Sequence, residues 1–349
     1  MLTVRAQKSY FSCILTQPMP RKIRFVDLFC GIGGFRIGFS NAVRELGLES
    51  QAVFASDIDL DCQAAYSANF GEMPTGDISR VDADSIPDHD VLLAGFPCQP
   101  FSIIGKMNGF EDARGTLFFD IARIITRKRP RAFILENVKL LRSHNKGRTL
   151  KRILGILKDL GYKCDFKILN ALDFGLPQKR ERIFIVGFDE RVGFEWPCGA
   201  VPMQPLSVIL QPVVDARFFA TDYIIKKRHA KVKSYESPSI WHENKSGHVG
   251  VYPYSCALRA GASYNYLLVD GKRRMTPREL LRLQGFPESF QIVCTESQTR
   301  KQAGNSVAVP VVQAVASAVI AAIDKANLNV LRTPAIGSQP GLFSDEAFA

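Results

Sequence analysis

The sequence predicts an α/β protein built on a doubly wound, mostly parallel sheet, with a second, smaller, irregular and β-rich lobe. Three observations carry that expectation. Over roughly the first 190 residues, short apolar runs alternate with helix-like segments, the pattern of strands linked by crossover helices. From about Asp189 the alternation stops, and turn residues and aromatics take over. Near the C terminus a helix-like stretch rich in Ala and Val returns, with the composition of a segment packed against the first lobe.

The elements follow in order. IRFVDLF (23–29) reads as a strand; Gly31, Gly33 and Gly34 come next, then an amphipathic helix to Leu46. AVFAS (52–56) is a second strand, followed by a helix to Phe70. VLLAG (91–95) is a continuous apolar run stopped by Gly95 and Pro97, as expected of a parallel strand covered on both faces. LFFDIARIIT (117–126) is a helix, AFILEN (132–137) a strand, TLKRILGILKDLG (149–161) a helix and RIFIVGF (182–188) a strand. Right-handed crossovers then give the doubly wound order. Beyond it, TPRELLRLQ (276–284) and Val309 to about Ala326 are the helical signals. Residues 1–20 carry Arg5 and Lys8, no acid and a brief apolar patch, and read as an untethered arm rather than a secretory signal.

Composition narrows the partners. The 349 residues can bury a large core, and the apolar share of 46% is that of a globular protein. No apolar run reaches the roughly 18 residues of a membrane span, which favours a cytoplasmic protein with no membrane partner. With 45 Lys and Arg against 34 Asp and Glu, the net charge of +11 favours a polyanionic partner. The densest basic cluster, IIKKRHAKVK (224–233), has five basic residues and no acid, and reads as phosphate-contacting or as a solvated helix face. Eight scattered cysteines form no C-x-x-C pair, so neither a metal site nor a disulfide framework is expected.

Chemistry is expected at the carboxyl edge of the sheet, where open α/β sheets bind ligands. In LLAGFPCQPFS (92–102), Cys98 sits between Pro97 and Pro100, which fix two φ angles and hold the thiol in place. A buried structural thiol is the alternative. DLFCGIGGF (27–35) is a glycine-rich strand-to-helix turn that lets backbone N–H groups approach a nucleotide-like ligand, although it does not match G-x-G-x-x-G. Asp57 in ASDID is placed for ribose hydroxyls, and Asp77 in TGDI for an adenine amino group. Together they suggest an adenosine-containing cofactor. Each acid alone could equally be a helix cap.

The ordered set DLFCGIGGFRIGF, GFPCQPFS, RGTLFFDIARI, LENVK, LNALDFGLPQKRERIFIVGF, RRMTPRELLRLQGFP and QAGNSVAVPVV resembles the DNA (cytosine-5) methyltransferases, especially the single-chain bacterial enzymes of restriction-modification systems. The resemblance runs from Arg24 to Phe188 and from Arg273 to about Ile323. It implies a Rossmann-like methyltransferase fold, S-adenosyl-L-methionine as cofactor, and methylation at C5 of a cytosine flipped out of a specific short sequence in double-stranded DNA. Cys98 is then the nucleophile at C6 and Glu136 the acid at N3, with a raised pKa. Arg182 reaches toward the cytosine O2, and Arg180 supports the catalytic loop and phosphate. The cofactor set is Phe29, Gly31 and Ile32; Asp57 and Ile58; Asp77 and Ile78; Pro97 and Leu117; and, from far along the chain, Asn305 and Val307. At the ribose position the family more often has Glu, so Asp57 is one methylene short. Gln99, Ser102 and Arg114 resemble positions that touch the target nucleotide's backbone or fill its place.

The same resemblance implies a discontinuous catalytic and cofactor-binding domain (21–188 and 300–326), a target-recognition domain and hinge (189–299, recognition core 189–272) and a loose tail (327–349). Within the core, Lys245 in NKSGHVG and Arg259, Ser263 and Asn265 in LRAGASYNY are candidate DNA contacts. The expected setting is a monomer acting on nucleoid DNA in the cytoplasm, with a restriction endonuclease as genetic partner. Rival readings are a tRNA cytosine-5 methyltransferase, which usually carries a Cys-Phe-Thr motif not found here, a Rossmann dehydrogenase, and a catalytically silent DNA-binding relative.

Overall fold

The structure, a computed structural model, describes residues 22–97, 117–190 and 192–332, with side chains to residue 324. Cys98, Gln99, Ser102 and Arg114 therefore lie outside the described residues, as do the arm 1–20 and the tail from 333.

A six-stranded sheet is built from β1 (Lys22–Leu28), β2 (Glu49–Ser56), β3 (Val91–Gly95), β4 (Ala132–Val138), β5 (Lys163–Asn170) and β7 (Glu181–Phe188), in the order β2-β1-β3-β4-β7-β5. The pairs β2–β1, β1–β3 and β3–β4 are parallel, whereas β7 runs antiparallel to both β4 and β5. The connection from β5 back to β7 is too short for a crossover helix, so only an antiparallel return fits. β5 is absent from the strands expected above. Its residues KCDFKILN alternate exposed and half-buried, as suits a sheet edge guarded by lysines, and they lack the apolar run that marks its neighbours.

Helices cover both faces. Phe25, Val91, Leu93, Ile134 and Val186 bury one face against α1 (Gly34–Glu45) and α8 (Val309–Arg332). Their alternating neighbours Val26, Leu92, Phe133, Leu135 and Ile185 bury the other against α3 (Leu117–Lys128) and α4 (Arg148–Asp159). The period of two thus splits one strand between two cores. The helical run Glu296–Asp324, which ends within α8, holds a stretch long and apolar enough, by length and composition alone, to cross a membrane. Here Val312, Val315, Val319 and Ile320 are buried against α1 and the sheet, so the helix packs as core.

The second lobe holds α5 (Asp222–His229) and a three-stranded antiparallel sheet of β8 (Ile240–Glu243), β9 (Val249–Tyr252) and β11 (Leu267–Val269). Trp241, fully buried, packs against His229 and Tyr235. A short parallel pair joins the lobes, β6 (Gln178–Lys179) with β10 (Ser255–Cys256). One hydrophobic cluster also spans the joint: Ile32, Cys62 and Ala65 meet Leu258, Leu267 and residues of α6 (Pro277–Leu283), while Cys62 and Ala65 belong to α2 (Leu60–Phe70). Helix α7 (Glu296–Asn305), also absent from the sequence expectation, is polar along its length; its one sequence signal is Thr295, whose side chain caps the N–H of Gln298.

The basic cluster at 224–233 is only partly a polyanion surface. Arg228 is 1% exposed, pairs with Glu243 of β8 at 3.1 Å and also donates to the carbonyl of Asn265. Lys231 donates to the carbonyl of Gly247 at 2.6 Å. The helical period turns Arg228 inward, so it is not available to phosphate.

Candidate active site

A cleft of about 730 Å³ opens at the carboxyl ends of β1 to β4 and is closed on its far side by residues 258–260 and 302–307. Its floor begins where β1 ends. Phe29 and Gly31 both take positive φ (55° and 53°), and this reverses the chain into α1. At Gly31 the absence of a side chain is what permits the turn. The Gly31 N–H donates to Asp57 Oδ2 at 2.8 Å, and the Asp59 N–H donates to Asp57 Oδ1 at 2.9 Å. Asp57 therefore ties the glycine turn to the end of β2. Burial raises its pKa, and the two backbone N–H groups pull it back down. Beside it Ile58, 72% exposed, presents an apolar face to the cleft.

Asp77 also lines the cleft, but its Oδ1 is engaged by the Ser79 N–H at 3.0 Å and the Ser79 hydroxyl at 2.7 Å, as the cap of the short helix 78–80. Those bonds, the hydroxyl's first, hold its pKa below the usual carboxylate value. Ile78 lines the cleft although its side chain is largely in the core, and Pro97 and Leu117 flank the undescribed segment. Asn305 and Val307 arrive from the end of α7 and the turn into α8. Ile32 does not line the cleft. It is 2% exposed and packs among Cys62, Ala65 and Leu280, because the turn points it down into the joint between the lobes.

At the deep end, Glu136 and Arg182 face each other from β4 and β7. Arg182 Nε lies 3.0 Å from Glu136 Oε1, and Glu136 is 8% exposed. Burial raises the Glu136 pKa, opposed by the charge of Arg182 and then of Arg180. The expected phosphate contact from Arg180 gives way to another arrangement. Its guanidinium, 2% exposed, donates to the carbonyls of Leu258 (3.2 Å), Gly304 (3.1 Å) and Ser306 (2.6 Å), and so ties the second lobe and the turn into α8 to the six-stranded sheet. Burial, with the Arg182 charge, pulls its pKa down to about 9, which leaves it cationic at neutral pH. The approach at that joint is close: a Cβ on Gly304 would sit 2.6 Å from the backbone nitrogen of Ala260.

Of the residues proposed to read DNA, Arg259 lines the cleft, exposed, with its guanidinium 4.8 Å over the Tyr266 ring. Lys245 is exposed in the β8–β9 turn, away from the cleft lining. Ser263 is exposed, and its carbonyl accepts from Arg300 at 3.2 Å. Asn265 fits base reading poorly, because its Oδ1 is buried and its carbonyl is engaged by Arg228.

Comparison with known proteins identifies the chain. The family model for C-5 cytosine-specific DNA methylase matches residues 23–218 and 213–321. The chain belongs to that family. It is 56% identical over 292 residues to the Type II methyltransferase M.NgoBI of Neisseria gonorrhoeae, covering 83% of this chain and 90% of the relative. To the Type II methyltransferase M.HaeII of Haemophilus aegyptius it is 51% identical over 313 residues, 89% of this chain and 96% of that one. The crystal structure of S. pombe Dnmt2 methyltransferase shares the fold with a TM-score of 0.67 at 22% identity, covering 86% of this chain and 99% of that one. The Entamoeba histolytica methyltransferase EhMeth superposes with a TM-score of 0.66 at 19% identity, over 88% and 99%. The chain is a DNA (cytosine-5) methyltransferase.

Three buried amides of this methylase escaped the sequence reading. Asn137 Nδ2 donates to the Phe96 carbonyl at 2.8 Å, fixing the end of β3 against the residue after Glu136. Gln178 Nε2 donates to the Leu283 carbonyl at 2.9 Å, while its Oε1 accepts from Leu258 N–H at 3.1 Å. Gln284 Nε2 reaches the Ala303 carbonyl at 2.6 Å. All three stand inside the motifs LENVK, GLPQKR and RLQGFP, next to residues whose chemistry drew the attention.

Proposed function

We propose that this methylase transfers the methyl group of S-adenosyl-L-methionine to C5 of a cytosine extruded from a short specific sequence in double-stranded DNA, through a covalent adduct of Cys98 at C6. The observation that carries the reading is the buried Glu136–Arg182 pair, which lines the same cleft as Pro97, the residue before Cys98.

The cleft suits the cofactor. Exposed Ile58 offers an apolar face to an adenine ring, the left-handed turn at Gly31 leaves room for backbone approach, and Asp57 keeps acceptor capacity beyond its two N–H bonds. Phe29, Gly31, Asp57, Ile58, Asn305 and Val307 would hold it, with Asp77 at the adenine end through Oδ2, which Arg80 approaches at 3.5 Å and from which its exposed side chain can swing away. When bound, it supplies an activated methyl group on a sulfonium.

C5 of cytosine is a weak nucleophile, so the chain's own groups must activate it. The Cys98 thiolate adds to C6 and pushes an electron pair through the ring to C5, which uses it to bond the methyl carbon as that carbon's bond to the sulfonium sulfur breaks and leaves its pair on sulfur. Loss of the C5 proton to water then returns the pair and expels Cys98. Negative charge builds toward N3 during the addition, and a protonated Glu136 can donate there. Its burial already favours the neutral form, and a base stacked into the cleft removes more water. Arg182 orients the carboxyl and places a cation beside the cytosine O2. A stacked base cannot reach these groups, which requires extrusion from the duplex.

In this reading residues 189–272 select the target, and the protein protects its host's DNA as a monomer in the cytoplasm alongside a restriction endonuclease. The test is duplex DNA carrying 5-fluorocytosine at the methylated position, which bisulfite sequencing of treated plasmid locates. A covalent complex is expected with cofactor present, because fluorine cannot leave as the proton does, and Cys98→Ser abolishes it. An adduct that persists in that variant assigns the attack to another cysteine.

A further inference from the structure

The segment between β4 and the middle of α4, KLLRSHNKGRTLKR (139–152), holds six Lys and Arg and no acid. Lys139 is paired with Glu181 at 2.8 Å. Arg142, Lys146, Arg148, Lys151 and Arg152 are all exposed, and none forms an ion pair or side-chain hydrogen bond among the described residues. This is the reverse of the 224–233 cluster, whose Arg228 is consumed internally.

Two further observations fix what such a surface is for. First, its location: β5 runs parallel to β4, because both are antiparallel to β7, and α4 forms the connection between them. A crossover helix runs back along the sheet, so its N-terminal turns lie at the carboxyl edge, the edge that carries the cleft. Second, its electrostatics: α4 starts at Gly147 with no side-chain cap and no acid in its first turn, and Arg148, Lys151 and Arg152 crowd an end where the helix dipole favours anions. Local stability alone would place carboxylates there. Buried Leu150, Ile153 and Leu157 fix the helix rotation, so the three cations share the outward face, along a shallow groove of about 300 Å³ lined also by Gly155, Ile156 and, at its far end, the one acid Asp159.

We propose that this face binds the phosphate backbone of duplex DNA beyond the target sequence, as a sequence-independent contact that holds flanking DNA while the cleft works on the extruded base. The proposal rests on the DNA-methylating reading of the site, yet it is tested without methylation. An extended polyanion of regular phosphate spacing suits unpaired cations along one helix face better than a small anion, which would gather them to a point.

The experiment measures binding of mixed-sequence duplexes by fluorescence anisotropy across a KCl series, using the full-length protein. One duplex is about 12 base pairs, little over one helical turn, and the other about 30 base pairs. The variant Arg148→Gln/Lys151→Gln/Arg152→Gln is compared with Lys158→Gln/Lys163→Gln/Lys167→Gln, which removes the same charge from exposed positions at the far end of α4 and on β5. Each lost phosphate contact lowers the slope of log K against log salt by about 0.9, so the first variant should lose roughly 2–3 on the long duplex and little on the short one. The control should keep the wild-type slope. Equal losses in both variants would mean that net charge alone acts, an unchanged slope in the first would mean no contact, and tighter patch-dependent binding of duplex RNA would give the face a different partner; each overturns the proposal. All six residues are exposed, and the shared thermal midpoint of the two variants checks folding. Patch-dependent DNA binding by a protein that leaves plasmid unmethylated would sink the proposed reaction and leave this surface standing.

Discussion

Replacing Arg180 by Met tests whether the joint behind the cleft is held by its guanidinium. Three carbonyls, from Leu258, Gly304 and Ser306, lose a charged donor. A hydrogen bond to a charged group contributes about 1.5–3 kcal/mol, so three could contribute about 5–9 kcal/mol. Against this stands the desolvation of a guanidinium that is 2% exposed, several kcal/mol that the variant recovers. The net loss expected for Arg180→Met is about 2–4 kcal/mol. Arg180→Lys keeps the charge, but an ammonium cannot span three acceptors as a planar fork does, so about half the loss is expected. Urea denaturation gives the stability. Calorimetry with S-adenosyl-L-methionine gives the functional consequence, since Gly304 and Ser306 accept two of these bonds and residues 304–307 line the cleft, and affinity should fall with stability. An Arg180→Met protein within about 0.5 kcal/mol of wild type, the range of ordinary surface substitutions, would refute the reasoning.

Glu136→Gln should lower the single-turnover methylation rate by roughly 10²–10⁴-fold, the usual range for a positioned acid, because an amide can hydrogen-bond N3 but cannot give up a proton to it; a rate within tenfold of wild type removes Glu136 from the mechanism. Asp57→Ala should weaken cofactor binding by about ten- to a hundredfold, about 1.5–3 kcal/mol, with little change in DNA affinity; unchanged calorimetric affinity in a folded variant would displace Asp57 from the site. Asp27 is fully buried, and burial raises its pKa to about 8 against the opposing pull of the Arg36 charge and backbone N–H. The folded state therefore holds one more proton than the unfolded chain between about pH 4 and 8, and the stability this gives is full below pH 4 and lost as pH rises through 8. Urea midpoints at pH 6 and 8.5 should fall with pH more steeply in wild type than in Asp27→Asn, and parallel profiles would contradict the buried carboxyl. Transplanting residues 189–272 into a relative of known target should transfer sequence preference and leave cofactor affinity nearly unchanged; a chimera that folds but marks the host's old site places recognition elsewhere.

What the sequence made legible is whatever one stretch of chain specifies by itself. β3 and β4 are continuous apolar runs, and Glu136 stands at the end of one of them, so both strand and acid could be read in place. Partnerships made across the chain could not. Arg180 and Arg182 look alike two residues apart, yet one binds carbonyls 78, 124 and 126 residues away, while the other meets Glu136 across a strand pair. Ile32 lies in a motif whose turn sends its side chain into the core, a direction that residue type does not encode. Charge density misled for the same reason: the 224–233 cluster is denser than 139–152, but Glu243 of β8 and the carbonyl of Asn265 absorb its Arg228, and no local pattern reveals that neighbour. β5 was hidden because an edge strand needs only one well-buried face.

The buried amides explain why the cleft can be assembled from segments so distant in sequence. Gln178, Gln284 and Arg180 meet where the sheet, the second lobe and the turn into α8 converge, Asn137 ties the ends of β3 and β4 beneath them, and every bond quoted for the four ends on a backbone atom. An apolar joint of the same volume could slide by a fraction of a residue at little cost, because dispersion contacts are non-directional. Amide and guanidinium donors aimed at fixed carbonyls cannot, since each misplacement leaves a buried group unpaired. The hydrophobic cluster running from Ile32 to Val309 supplies adhesion between the lobes, and the polar bonds supply register. Register is what the proposed methyl transfer would demand, because Glu136 and Arg182 come from β4 and β7 while residues 304–307 supply part of the opposite cleft wall. A shift of the order of an ångström between them would spoil the alignment of methyl and ring without unfolding anything.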